Sequence, residues 1–205
     1  INMFTNKKYI LASSSISRFK ILKNSGFVFK QISPLCNEEN IKKKIKLKTT
    51  QPSIVAKKLS YEKAKSISIK KKYCTHYVIG CDTLVYLDKK IYDKAKNIRE
   101  AKNKLLKLSG RQHKIVSAIT ICKNGEKIWQ STTVSKVKIR KIKRKEIDLY
   151  LKKTGKKILQ SVGCYQVESL GPQIIEDISG DFFNVMGLPL FKLLKYIYYK
   201  WTDIM

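Results

Sequence analysis

At 205 residues, 43% of them hydrophobic and 10% aromatic, the chain can bury one sizeable core or two small lobes. No run approaches the ~18 apolar residues of a membrane span, so no membrane partner is expected. The formal net charge of +29 raises nucleic acid as a partner.

Only five of the 44 basic residues are arginine, however, and the lysines run the whole length of the chain. Ile, Asn and Tyr are abundant too, and with Lys they share A/T-rich codons. A solvated lysine surface is therefore the reading, with no specific nucleic acid expected. The five cysteines, at 36, 74, 81, 122 and 164, are odd in number and lack CxxC spacing. That argues for reduced thiols in a cytoplasmic setting and against a disulfide framework or zinc site. Tyr9-Ile-Leu-Ala12 gives way at once to serines, so no secretory apolar core is read there.

Lys8–Ala12 reads as a first strand, running into Ser13-Ser14-Ser15 and Ser17. Phe19, Ile21 and Leu22 then space a short helix, closed by Asn24-Ser25-Gly26. A strand, a hydroxyl-rich turn and a helix N-terminus can hold an anion through free backbone N–H groups. Arg18 adds a forked donor suited to phosphate. An ordinary serine N-cap would explain the same residues. Phe27–Ile32 alternates as a strand, and Ser33–Pro52 reads as a loop with a little helix, carrying Glu38 and Glu39. Ile54–Ile69 has apolar residues at 54, 55, 59, 64 and 67, a helical spacing. Lys57 and Lys63 fall among them, and a lone lysine on a helix reads as solvated surface.

Tyr77–Tyr86 is a run of β-branched and aromatic residues, a buried strand. Asp82 and Thr83 interrupt it, directly after Gly80 and the small Cys81. An acid in an apolar strand costs several kcal/mol, of order, unless a metal, a cation or donor groups meet it. Small residues before it let another chain or a ligand come close. The competing reading is a strand-end Asp that caps a turn.

Asp88-Lys-Lys90 forms a turn, and Ile98–Leu108 is an amphipathic helix with Ala101, Leu105 and Leu108 on one face. Arg111–Lys123 and Lys127–Val137 read as strands joined by Asn124-Gly125, a strong hairpin signal. Lys136–Lys145 alternates with Val137, Ile139 and Ile142 and reads as a strand with a lysine face. Glu146–Leu151 begins a helix that ends near Gly155, and Ser161–Val167 and Ile174–Ile178 read as short strands. Gly180-Asp181 with Asn184 marks a turn, and Pro189–Tyr199 is the last amphipathic helix. Strands and helices mix without strict alternation, which favours an α/β fold with a mixed sheet. One domain of two lobes over residues 1–205 is the economical organisation.

Five segments in fixed order carry a resemblance. Leu11-Ala-Ser-Ser-Ser-Ile-Ser17-Arg18 is similar to L-A-S-x-S-P-R-R, and Gly80-Cys-Asp-Thr83 to G-A-D-T. Lys94 matches the lysine of G-K-P, and Leu108-Ser-Gly-Arg-Gln-His113 matches L-S-G-R-x-H. Gly180-Asp-Phe-Phe-Asn-Val-Met-Gly-Leu-Pro189 matches G-D-Y-x-N-V-x-G-L-P. The chain resembles the Maf (septum-formation-inhibitor-like) nucleoside triphosphate pyrophosphatases, whose fold is related to the inosine-triphosphatase group. That implies a twisted mixed sheet with flanking helices and two lobes around a cleft. Ile16 and Ala95 stand where the family has proline, and Ser17 stands where it has Arg or Trp.

The implied reaction is hydrolysis of a nucleoside triphosphate to the monophosphate and pyrophosphate, by attack at the α-phosphorus. In that setting Ser13, Ser15, Arg18, Lys63 and Lys94 would hold the triphosphate. Asp82 and Glu38 would ligate a divalent cation, Mg²⁺ or Mn²⁺, or Asp82 would be the general base; the sequence leaves both roles open. The resemblance also implies that Ser17, Thr83 and Glu168 occupy the positions with which the family chooses the base. Thr83 matches the dTTP/UTP-type branch, Glu168 the 7-methyl-GTP-type branch and Ser17 neither. A Glu168 that merely pairs with a lysine is the competing reading. Arg111 and His113 are expected to organise the hairpin, while Asp181 and Asn184 are open to either role. A homodimer is left open as the assembly. The rival classes are a non-catalytic regulator of cell division, against which Asp82, Lys94 and Arg18 argue, and a basic nucleic-acid-binding protein.

Overall fold

The computed structural model describes residues 6–201. It contains strands β1 (Tyr9–Ala12), β2 (Lys30–Ile32), β3 (Tyr77–Leu87), β4 (Lys90–Tyr92), β5 (Gln112–Lys123), β6 (Glu126–Ile139) and β7 (Ile175–Ser179). The helices are α1 (Ile16–Asn24), α2 (Glu38–Lys46), α3 (Pro52–Ser68), α4 (Ile98–Leu108), α5 (Arg144–Thr154), α6 (Phe182–Val185) and α7 (Leu190–Trp201). The strands make one mixed sheet in the order β2-β1-β3-β5-β6-β7, with β4 on the flank of β3.

β3 is the spine, and its neighbours change along its length. On one side β5 pairs with it antiparallel from Val78 to Tyr86. On the other side β1 runs parallel from Tyr77 to Gly80, and β4 runs antiparallel from Val85 to Leu87. Cys81–Leu84 therefore face a gap in the sheet between the end of β1 and the start of β4. A crevice at the carboxyl end of parallel strands is where open α/β sheets place their ligands.

Two cores lie on either side of this gap. One gathers Val85 and Leu87 with α4, α5, Val137 and Ile139. The other packs Tyr77, Ile79 and Cys81 with α1, α7, Ile119 and Ile121. On the opposite face of the sheet α3 buries Val55, Ala56, Leu59, Ala64 and Ile67. Each large aliphatic side chain so buried contributes roughly 1.5–3 kcal/mol. Gly80 decides how close α3 lies: a Cβ there would stand 2.1 Å from the Ser60 carbonyl oxygen. The small residue admits a helix of the chain itself.

The hairpin at Asn124-Gly125 forms as read, with φ of 49° and 80° and Lys123 paired to Glu126. Three expectations need correction. Lys136–Lys145 is not one strand: β6 ends at Ile139 and α5 starts at Arg144, because Glu146 closes a cap on the Lys143 backbone N–H at 2.7 Å. Ser161–Val167 forms turns and no strand: the Cys164 N–H bonds back to Ser161 O, the Ser161 hydroxyl donates to Tyr165 O, and Lys104 takes Val162 O. Of Phe27–Ile32 only Lys30–Ile32 pairs, while Phe27 packs on Tyr9 with ring centroids 4.8 Å apart.

Candidate active site

β3 alternates its side chains across the sheet, so Asp82 and Thr83 look to opposite faces. Asp82 faces α3. Lys63 stands on the buried stripe of that helix, one turn from Leu59 and one from Ile67, and is only 5% exposed. Its Nζ donates to Asp82 Oδ1 at 2.8 Å and lies 2.8 Å from Glu38 Oε2, at the start of α2. The reading of Lys63 as solvated surface is thus overturned, whereas Lys57 is exposed. Burial opposes the Lys63 charge and Arg18 repels it, yet Asp82 and Glu38 prevail and hold its pKa above the ordinary lysine value. Asp82 Oδ2 is buried and has no hydrogen-bond partner in the protein.

Thr83 faces the turn between α6 and α7. Its hydroxyl meets Ser117 Oγ at 2.9 Å and donates to the Gly187 carbonyl at 3.1 Å. Arg18, in the first turn of α1, reaches over the end of β1 to the same place. Its Nε donates to Gly187 O at 2.8 Å, one Nη to Ser13 Oγ at 3.3 Å and the other to Thr83 Oγ1 at 3.1 Å. Three of the five guanidinium N–H groups are thus engaged, and two remain for a ligand. Ser15 is the N-cap of α1, accepting from the Arg18 N–H, so the N-cap reading holds. Gln31, which nothing in its surroundings in the sequence distinguishes, fixes the serine turn by donating to Ser13 O at 2.7 Å.

Lys94 follows β4 and stands exposed on the wall of the cleft. Crowding by the surrounding protein disfavours its charge, and Arg18 and Lys63 add repulsion that Glu38 and Asp82 only partly offset; its pKa is lowered. Across the cleft, Ser17 donates to Glu168 Oε1 at 3.2 Å. Ser17, Arg18, Thr83, Lys94 and Glu168 line one cleft, with Asp82, Lys63 and Glu38 beside it.

The remaining motif residues bind other parts of the protein. Arg111 pairs with Asp88 at the β3–β4 turn. His113 Nε2 meets Tyr165 OH at 2.6 Å, and burial lowers the imidazole pKa to about 4. Asp181 caps α6, and the wholly buried Asn184 donates to Ile115 O and Ser135 Oγ, tying α6 to the sheet. These side chains hold the cleft walls and do not face it.

Residues 8–199 match the family described as Maf-like protein. The chain belongs to the Maf family. It is 36% identical over 187 residues to the nucleoside triphosphate pyrophosphatase of Caulobacter vibrioides, covering 91% of this chain and 92% of that one. The 7-methyl-GTP pyrophosphatase of Rhizobium meliloti is 35% identical over 186 residues, 91% and 92% of the two chains. That of Bartonella quintana is 38% identical over 185 residues, 90% and 91%. Both kinds of named relative therefore align with this Maf chain across the sheet, the gap and the cleft.

The donor set can be weighed against a divalent cation. Among the described residues no cluster of three or more His, Cys, Asp or Glu exists. Mg²⁺, however, is usually held by one or two carboxylates together with substrate phosphates. Asp82 and Glu38 share one ammonium, and Asp82 Oδ2 is a buried acceptor without a partner. An unpaired buried acceptor costs about 1–3 kcal/mol, which a ligand would recover. The residues fit a hard cation.

Proposed function

We propose that this protein is a nucleoside triphosphate pyrophosphatase: water attacks the α-phosphorus, the α–β anhydride bond breaks, and pyrophosphate leaves. The observation that carries the reading is the buried, half-satisfied carboxylate of Asp82 among three cations, Lys63, Arg18 and Lys94. Hydrolysis of this kind is mostly positioning and charge neutralisation. The two free N–H groups of Arg18, the serine turn and Lys94 would take phosphate oxygens. For Lys94 the arriving anion relieves the crowding of like charges. Lys63 holds Asp82 Oδ1 and leaves Oδ2 open to accept a proton or to bind a cation. Asp82 and Glu38 would hold Mg²⁺ or Mn²⁺, which when bound polarises phosphate oxygens and eases deprotonation of water.

Base choice falls to the other end of the cleft. Glu168 offers a carboxylate acceptor that suits the N1–H and N2–H₂ edge of a guanine, and Ser17 is too short to stack on or fork around a base. We infer a purine-leaning pocket that favours guanine or a modified guanine. The test is a panel of nucleoside triphosphates, 7-methyl-GTP included, assayed with Mg²⁺ or Mn²⁺ for the monophosphate and pyrophosphate. Release of the diphosphate and orthophosphate instead would overturn the chemistry.

A further inference from the structure

Among the described residues only two lysines are buried, Lys63 and Lys104. Lys63 belongs to the site above. Lys104 lies on the apolar face of α4 between Ala101, Leu105 and Leu108, 8% exposed, and faces no carboxylate at ion-pair distance. Its Nζ donates to two backbone carbonyls from distant parts of the chain, Asp93 O and Val162 O, the latter at 3.0 Å. A buried ammonium held only by carbonyls is costly, and burial indeed lowers its pKa.

The positions of those carbonyls give the arrangement meaning. Asp93 immediately precedes Lys94, and its carboxylate is gripped from the other side by Lys42 and Lys46 of α2. Val162 belongs to the turn segment that carries Tyr165 and leads to Glu168, the far wall of the cleft. The Cys164 thiol adds a contact to the Ala95 backbone, joining the same two segments. α4 thus clamps the phosphate side and the base side of the cleft together from behind.

We propose that Lys104 is a positioning residue that fixes the Asp93–Ala95 segment, and through it the Lys94 ammonium, against the Val162–Glu168 wall. The proposal rests on the pyrophosphatase reading for its effect on turnover, but not for its effect on Lys94. Lys104→Met keeps length and apolar fit while removing the donors. Lys104→Gln also removes the charge but keeps two N–H donors. The first measurement follows the titration of Lys94 by NMR of labelled lysine Nζ, the signal being assigned by its loss in Lys94→Arg. In Lys104→Met the Lys94 midpoint should climb from its lowered position toward the ordinary value as the segment is released. In Lys104→Gln it should stay close to that of the unaltered protein. Equal shifts in both variants, or none in a folded Lys104→Met protein, would overturn the proposal. The second is a double-mutant cycle: Lys104→Met should lower kcat/KM about tenfold or more with Lys94 present and much less in a Lys94→Ala background. The same factor in both backgrounds would also overturn it. If Lys104→Met does not fold, Lys104→Ala carries both measurements against Lys104→Gln. An unaltered protein that hydrolyses no triphosphate would refute the functional reading alone, since the Lys94 titration still decides this one.

Discussion

Lys63 Nζ stands 2.8 Å from Asp82 Oδ1, with 6% and 11% of the two side chains exposed. Removing the lysine of such a pair leaves the carboxylate charge buried alone, at a cost of about 3–5 kcal/mol, whereas Lys63 without the Asp82 charge keeps Glu38. Lys63→Met should therefore destabilise the fold by roughly that amount in urea. Asp82→Asn should instead retain its fold, through the amide oxygen, and lose roughly 10²–10⁴ in turnover. A folded Asp82→Asn protein with near-normal turnover would refute the role of Asp82. Because the Lys63 pKa is raised, its contribution to stability is complete at neutral pH. It is lost only as pH climbs through that raised value, above the ordinary 10.5.

Lys94 carries the opposite shift. Crowding by protein, then Arg18 and Lys63, lower its pKa, so its charge disappears at a lower pH than that of a surface lysine. The alkaline fall of kcat/KM, which reports the free enzyme, should begin below the ordinary lysine value of 10.5. Arginine stays charged above pH 12, so Lys94→Arg should displace that limb upward. Coincident limbs in the two proteins would remove Lys94 from the phosphate-binding group.

The Ser17–Glu168 hydrogen bond spans the mouth of the cleft. Glu168→Gln exchanges an acceptor-only group for one that both donates and accepts, which fits the N3–H and carbonyls of uracil better. The ratio of kcat/KM for guanine over uracil nucleotides should fall roughly tenfold, the worth of one good hydrogen bond. An unchanged ratio places Glu168 outside the base pocket.

His113 supplies an acid-side test. Burial lowers its pKa to about 4 from 6.5, so between those values the unfolded chain binds a proton that the folded one refuses. Stability should fall as pH drops through this window, by about 3 kcal/mol in all from this residue. His113→Gln should flatten that dependence in urea midpoints measured at pH 7 and 4.5.

Local signals carried much of this architecture. Asn124-Gly125, the stripe of α4 and the mixed order of elements each follow from short-range chemistry, and each is found. Of the motif residues, Arg18, Thr83 and Lys94 line one cleft, Ser13 bonds Arg18, and Asp82 lies beside the cleft on the α3 face. Lys63 was legible too, had its position four residues from both Leu59 and Ile67 outweighed the habit of lysine for solvent. What local reading misses is set at long range. The turns at 161–167 are bonded by Lys104 and His113, 58 and 52 residues from the groups they bind. Gly80 shows the same limit: the glycine is visible, but that Ser60 and Ala64 need the space is not. Gly80→Ala should push α3 from β3 and take Lys63 with it.

β3, β5 and β6 each pass without interruption from one hydrophobic cluster to the other. A hinge needs a few residues free to absorb a change in φ and ψ. Three hydrogen-bonded strands side by side offer none. The lobes are thus braced like two ends of one plank and do not clap shut as bodies joined by a linker would. A nucleotide would meet a cleft braced across its floor, and opening for entry and release would fall to the segments at its rim.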